Sequence, residues 1–217
     1  MKTFCIIGLD TFGQTLALTL TQNSHQVMVI DEDSEAINVL ADIVTNAVVG
    51  DATSEAVLVA AGVKDYECVI VSTDSMNDSI LLTLSLKDLG IKKVVVRAVS
   101  NQHKRVLEKV GADMVVFPEQ DMGEKLAYML EKNNVMEYIE FSSEYSIVEI
   151  KVPSVWIGKS IIDVHVRKRY GVNIIAISRG TRDTMDISPQ ADRIFQSGDL
   201  VTLLGANDNI DKITKMA

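Results

Sequence analysis

From Phe4 to Gly13 the sequence reads Phe-Cys-Ile-Ile-Gly-Leu-Asp-Thr-Phe-Gly, an apolar run entering a glycine turn. A second apolar run closes on Asp31-Glu32, near the ~20-residue spacing at which an acidic side chain meets a ribose hydroxyl. The chemistry this pattern serves is nucleotide binding. In Gly-x-Gly-x-x-Gly the first glycine makes the tight turn, the second lets backbone approach a pyrophosphate, and the third lets helix pack on strand. Gly8 and Gly13 hold the first and third places, Thr11 and Phe12 lie between, and Asp10 holds the second. A carboxylate where phosphate should come closest adds bulk and like charge, so the turn is kept while its standard contact is compromised. Asp31 is read as the ribose ligand, with Glu32 less suited; the competing account makes Asp31 the N-cap of the helix that begins near Asp33.

Four further groups fall where strands are expected to end. Gly50-Asp51-Ala52-Thr53 follows the third apolar run and faces the crevice where an adenine would lie, although Asp51 or Thr53 would also cap the next helix. Ser72-Thr73-Asp74 ends the fourth, across the switch point from the first turn, where a purely structural turn fits as well. Arg97 ends the fifth and offers a two-pronged fork to phosphate. Glu119 opens the helix after the sixth; it either complements the helix dipole or, with Asp10, holds a divalent cation bound alongside phosphates. A dehydrogenase would need a general acid or base, and His103, beside Lys104 and Arg105, is read as a solvated surface residue. No Gly-x-Ser-x-Gly nucleophile elbow is present.

The elements that must position these residues alternate. Strands are expected over Thr3–Gly8, Gln26–Asp31, Ala47–Gly50, Glu67–Ser72, Lys93–Arg97 and Asp113–Phe117, with helices between them. Six strands alternating with helices imply a doubly wound, Rossmann-type parallel sheet covered on both faces. A crossover helix from Pro118 to about Lys132 follows. Then Met136–Phe141, Ser146–Val152, Asn173–Ser178 and Leu200–Leu204 read as strands among turn-rich pieces, which marks a small α+β domain. The expected division is 1–133 and 134–217.

With a net charge of −9, the chain is poorly suited to a phosphate backbone, so no nucleic-acid partner is expected. No stretch reaches the ~18 consecutive apolar residues of a membrane span, and Met-Lys-Thr-Phe enters a strand, so a cytoplasmic location is expected. Cys5 and Cys68 lie within apolar runs as small hydrophobes, and the three histidines are scattered singly without metal-ligand spacing.

Taken together, these residues resemble the RCK (KTN) regulatory subunits of Ktr and Trk potassium-uptake systems, over essentially the whole chain. The run Ile6 to Gly13 is similar to that family's Ile-Gly-Leu-Gly-Arg-Phe-Gly. Gly50-Asp51-Ala52-Thr53, Val106-Leu107-Glu108-Lys109-Val110-Gly111-Ala112-Asp113 and Pro118-Glu119-Gln120-Asp121-Met122-Gly123 also match, as do Glu144 to Glu149 and Lys159 to Val164 in the C-terminal half. The Ktr branch fits best. The resemblance implies a cytoplasmic ring, homodimers assembled into an octamer, beneath a membrane potassium-translocating subunit and exchanging ATP and ADP in the Rossmann clefts. By position Asp31 would take the ribose, Asp51 to Thr53 the adenine side, Arg97 the phosphates, and Glu119 a phosphate-linked cation at the dimer interface. It further implies cyclic di-AMP between two C-terminal domains, with Ile162, Arg167, Asn173, Ile174 and Pro189 as candidate contacts; an ordinary symmetric apolar interface would look similar. Two departures stand out, since Asp10 replaces a glycine and Thr11 an arginine of the family turn.

Alternatives stay open at this point. An NAD-dependent oxidoreductase, holding NAD or NADH, would use the same turn and Asp31. A structural ring subunit with an inactive first cleft follows directly from Asp10 and Thr11.

Overall fold

The computed structural model describes residues 1–216, and residues 181–184 by their backbone alone. The chain divides into two compact units, Met1–Glu119 and Gln120–Ala217.

In the first unit strands and helices alternate as β1 (Thr3–Ile7), α1 (Thr11–Gln22), β2 (Gln26–Asp31), α2 (Ser34–Leu40), β3 (Asn46–Val49), α3 (Glu55–Ala60), β4 (Cys68–Val71), α4 (Met76–Asp88), β5 (Val94–Arg97), α5 (Asn101–Val110) and β6 (Met114–Val116). Every strand pairing is parallel, in the order β3-β2-β1-β4-β5-β6. The order reverses between β1 and β4, where Ile7 pairs with Ile30 on one side and Val71 on the other. That reversal opens the crevice in which sheets of this kind hold ligands. The apolar strand runs have their physical reason here, because both faces of the sheet are covered: Cys5, Ile7, Met28, Val69 and Val71 pack on one side, and Ile6, Val27, Val29 and Ile70 on the other.

Caps fix where the helices begin and end. Ser100 accepts a bond from the His103 amide at the start of α5, and Gly111 ends it at φ +112, a left-handed conformation that glycine adopts without strain. The same helix corrects the reading of His103. Its side chain is 0% exposed, one turn before buried Leu107, on the inward face of a helix whose other faces carry the charges. Nδ1 accepts from the Val99 amide (3.2 Å), so the Nε2 proton points to Ser79 Oγ (2.9 Å) and the ring is neutral. Burial, reinforced by the Arg97 charge, lowers its pKa. An unfolded histidine takes up a proton near pH ~6.5, whereas this folded one resists until lower pH, so the unfolded chain binds more protons in that window. Stability is therefore expected to hold above pH ~6.5 and to fall below it, by at most about 1.4 kcal/mol per pH unit from this group. Urea titrations at several pH values check this, with His103→Gln removing the slope.

The second unit begins within α6 (Pro118–Glu131), whose Tyr128 and Met129 pack into its core. That packing is why the compact units meet at Glu119, earlier than residue 134. There follow β7 (Val135–Glu140), β8 (Tyr145–Lys151), α7 (Ile161–Val164), α8 (Val166–Tyr170), β9 (Val172–Arg179), β10 (Thr181–Ile187), β11 (Asp199–Ala206) and α9 (Asn207–Thr214). The five strands form an antiparallel sheet in the order β10-β9-β11-β8-β7, around a core that includes Trp156, Phe195, Ile210 and Ile213. Tyr128 stacks on Tyr138 with ring centroids 4.1 Å apart, and Lys132 lies over the Tyr128 ring while pairing with Asp211.

Candidate functional site

The first turn is assembled by two close approaches. Gly8 has φ +92, and a Cβ there would lie 1.9 Å from the Ser72 carbonyl oxygen; a Cβ on Gly13 would lie 2.2 Å from the Gly8 carbonyl oxygen. The first and third glycines thus do what their spacing predicts. At the second place, Asp10 is the N-cap of α1. Its Oδ1 accepts from the Gly13 amide (2.8 Å) and from the Ser72 hydroxyl (2.7 Å), and its Oδ2 lies 2.7 Å from Arg97 Nη2. The like charge foreseen from the sequence therefore finds a cation in its own chain.

Arg97 is 4% exposed and sits among three carboxylates. Besides Asp10, its Nη2 pairs with Asp74, and its Nη1 donates to Glu119 (2.6 Å). Burial alone would lower its pKa, but the hydrogen bond to Asp74 and the charges of Asp10 and Glu119 raise it on balance. Both terminal nitrogens are engaged, and buried Nε has no hydrogen-bond partner among the described residues. Sequence reasoning assigned Arg97 to phosphate and did not foresee this cluster; Asp74, three residues past the end of β4, was the available signal. The residues of one chain do not fit a divalent cation at Glu119, since its carboxylate is bonded to Arg97 and no group of three or more metal-ligating side chains occurs among the described residues.

Beside the turn, at the β1–β4 switch point, lies a cavity of about 120 Å³ lined by Gly8, Asp31, Glu32, Asp51, Ala52, Thr53 and Thr73, with Asp78 and Leu82 from α4. Seven of the expected residues thus meet in one place, while Asp10, Thr11, Phe12, Gly13, Ser72, Arg97 and Glu119 do not line it. The Asp31 carboxylate accepts from the Leu9 amide (2.6 Å) and the Asp33 amide (2.9 Å), tying the end of β2 to the first turn. The N-cap of α2 is Asp33, which accepts from the Glu35 amide, so capping does not account for Asp31. Asp51 accepts from the Thr53 hydroxyl (2.6 Å) and amide (2.9 Å), which hold its carboxyl below the usual carboxylate range. Asp78 was missed from sequence; its place four residues past Asp74, in the first turn of α4, hid it as an ordinary dipole-stabilising residue. The cavity wall thus carries the carboxylates of Asp31, Glu32, Asp51 and Asp78, and no lysine or arginine among the described residues.

A second cavity, of about 280 Å³, lies in the C-terminal unit. Ile162, Arg167, Asn173, Ile174 and Pro189 all line it, joined by His165 and Lys168, which sequence reasoning missed. The sequence fragment from Ser160 folds as two very short helices. Ser160 and Asp163 close a capping box on α7, holding the Asp163 carboxyl low, and His165 turns the chain into α8 through a left-handed conformation. His165, Arg167 and Lys168 line the cavity together; the rest of its lining is apolar apart from the Asn173 amide, with no carboxylate among the described residues.

A parallel six-stranded sheet followed by an antiparallel unit is the fold of a solved RCK domain. The comparisons agree: the TrkA-N domain profile matches residues 4–118 and the TrkA-C domain profile residues 145–217. Ktr system potassium uptake protein C of Bacillus subtilis (strain 168) is 38% identical over 215 residues, covering 99% of this chain and 96% of that protein. Among solved structures, the GsuK RCK domain aligns over 99% of this chain and 47% of its own with a TM-score of 0.69 and 22% identity, a likeness of fold. The GsuK channel bound to NAD aligns over 100% of this chain and 38% of its own, with a TM-score of 0.58 and 26% identity. The chain spans less than half of these two solved chains. This chain belongs to the TrkA family of RCK-type potassium-uptake subunits, and its role is regulatory, in potassium transport.

Proposed function

We propose that the chain is a ligand-responsive gating subunit. It works on the cytoplasmic side of a membrane potassium-translocating subunit, as homodimers gathered into an octameric ring, and ligands bias that ring between two shapes that the pore reads. The observation that carries this reading is the opposite chemistry of two separate cavities in two compact units. The acidic cavity suits the hydroxyls of an adenine-bearing ligand, with Asp31 accepting from the ribose and Asp51 to Thr53 lining the adenine side. That a channel similar to this chain has been solved bound to NAD supports a nucleotide as the kind of ligand taken. The cationic cavity suits a phosphodiester: Arg167 and Lys168 offer charge, Ile162, Ile174 and Pro189 offer apolar surface to a base, and Asn173 offers an amide. Cyclic di-AMP combines these features, with the second copy of the domain completing the site.

The oxidoreductase alternative loses its proton-transfer candidate, because both ring nitrogens of His103 are bonded within the fold.

Thermal shift with cyclic di-AMP tests the second cavity. A ligand at 100 times its Kd stabilises by about 2.7 kcal/mol, and Arg167→Ala is expected to abolish most of the shift while leaving the unliganded melting temperature within a degree or two, since Arg167 is exposed. An unshifted parent protein, or an unaffected variant, contradicts this assignment.

A further inference from the structure

Resting on the reading that the first cavity takes an adenine-bearing ligand, we infer that Asp10 is a resident carboxylate standing in for a ligand phosphate, so that this cavity selects nucleosides over their di- and triphosphates. Three donors converge on Asp10: the Gly13 amide at the N-terminus of a 12-residue helix, the Ser72 hydroxyl, and the Arg97 guanidinium. A helix amide, a hydroxyl and an arginine fork are the set that a phosphate recruits. Here the set is already occupied by the chain's own anion.

Capping alone does not explain the arrangement. A neutral asparagine or serine caps a helix as well as aspartate does, and neither would need a guanidinium 2.7 Å away. The cation is also heavily committed, since Asp74 and Glu119 share it with Asp10. A phosphate arriving beside Gly8 would meet an occupied helix terminus and a neutral Thr11. It would also meet Asp31, Glu32, Asp51 and Asp78 on the cavity wall, with no lysine or arginine among its described lining. The same wall favours a nucleoside, whose ribose hydroxyls donate hydrogen bonds that carboxylates accept. Each added phosphate therefore lowers affinity, whereas a standard glycine turn would raise it.

Calorimetry on the full chain with adenosine, AMP, ADP and ATP tests the inference, alongside Asp10→Asn and Asp10→Gly. Asp10→Asn keeps a cap acceptor and removes the charge; Asp10→Gly restores the open turn. The parent is expected to bind adenosine at least about tenfold more tightly than ATP. Both variants are expected to narrow or invert that ratio, through a gain for ADP and ATP, with melting temperatures confirming that they fold. A parent that binds ATP as tightly as adenosine overturns the inference, as does a ratio unmoved in Asp10→Asn; either result leaves the adenine-ligand reading intact. If no adenine compound binds the parent or either variant, the underlying reading of the cavity falls and the inference falls with it.

Discussion

Gly8→Ala is expected to destabilise the first unit by at least about 3 kcal/mol, among the most damaging single-methyl additions available in this chain. Two costs combine. At φ +92 any L side chain is strained, and the new Cβ would press to 1.9 Å of the Ser72 carbonyl oxygen. That carbonyl cannot retreat cheaply, because the Ser72 amide donates to the Ile7 carbonyl (2.7 Å) and holds the end of β4 against β1. Relief would require parting the two central strands of the sheet. Urea unfolding followed by circular dichroism is expected to move to lower denaturant. Fluorescence of the single tryptophan, Trp156, buried in the second core, supplies an internal control for that unit. An unchanged dichroism midpoint would contradict the geometry of the turn.

Arg97→Met is the second large effect, with an expected loss of about 2–4 kcal/mol. Methionine fills much of the buried stem but removes the charge that three carboxylates share. The exposed side chains of Asp74 and Glu119 can turn to water, so most of the cost falls on Asp10, which is largely buried and held by its cap and by Ser72. A double-mutant cycle separates the contributions: Asp10→Asn should cost little in the parent background and should recover part of the loss in Arg97→Met. If Arg97→Met is as stable as the parent, or Asp10→Asn recovers nothing, the pair is not the centre of the cluster.

The parallel sheet was legible because burial on both faces leaves a plain mark: continuous apolar runs such as Cys5-Ile6-Ile7 and Cys68-Val69-Ile70-Val71 have no solvent side to record. Its ligand crevice followed from the glycine turn and the acidic end of β2. What stayed hidden depends on contacts distant in sequence. Asp10 reads as repulsive until Arg97, at the end of a strand two places along the sheet, is brought to it. His103 carried a local signal, Leu107 one turn later, but its charged neighbours masked it. In the C-terminal unit, α7 and α8 are too short to show a helical period. The strand β10 is an edge strand whose Thr-Arg-Asp-Thr-Met-Asp-Ile has little apolar alternation to reveal it. The helix α9 opens on Asn-Asp-Asn, residues that otherwise announce a turn.

The position of β1 at the middle of its sheet bears on how the protein is made. As the nascent chain leaves the ribosome, β1 emerges early and β2 soon after, whereas β4, the strand that covers its other edge, comes only after α2, β3 and α3 have been synthesised. Until then a central, apolar strand of the first unit presents one bare row of amides and carbonyls, the kind of edge on which incomplete chains aggregate. Speed of translation through this stretch, and chaperone cover over it, therefore bear on yield in the cell as much as the stability of the finished fold does.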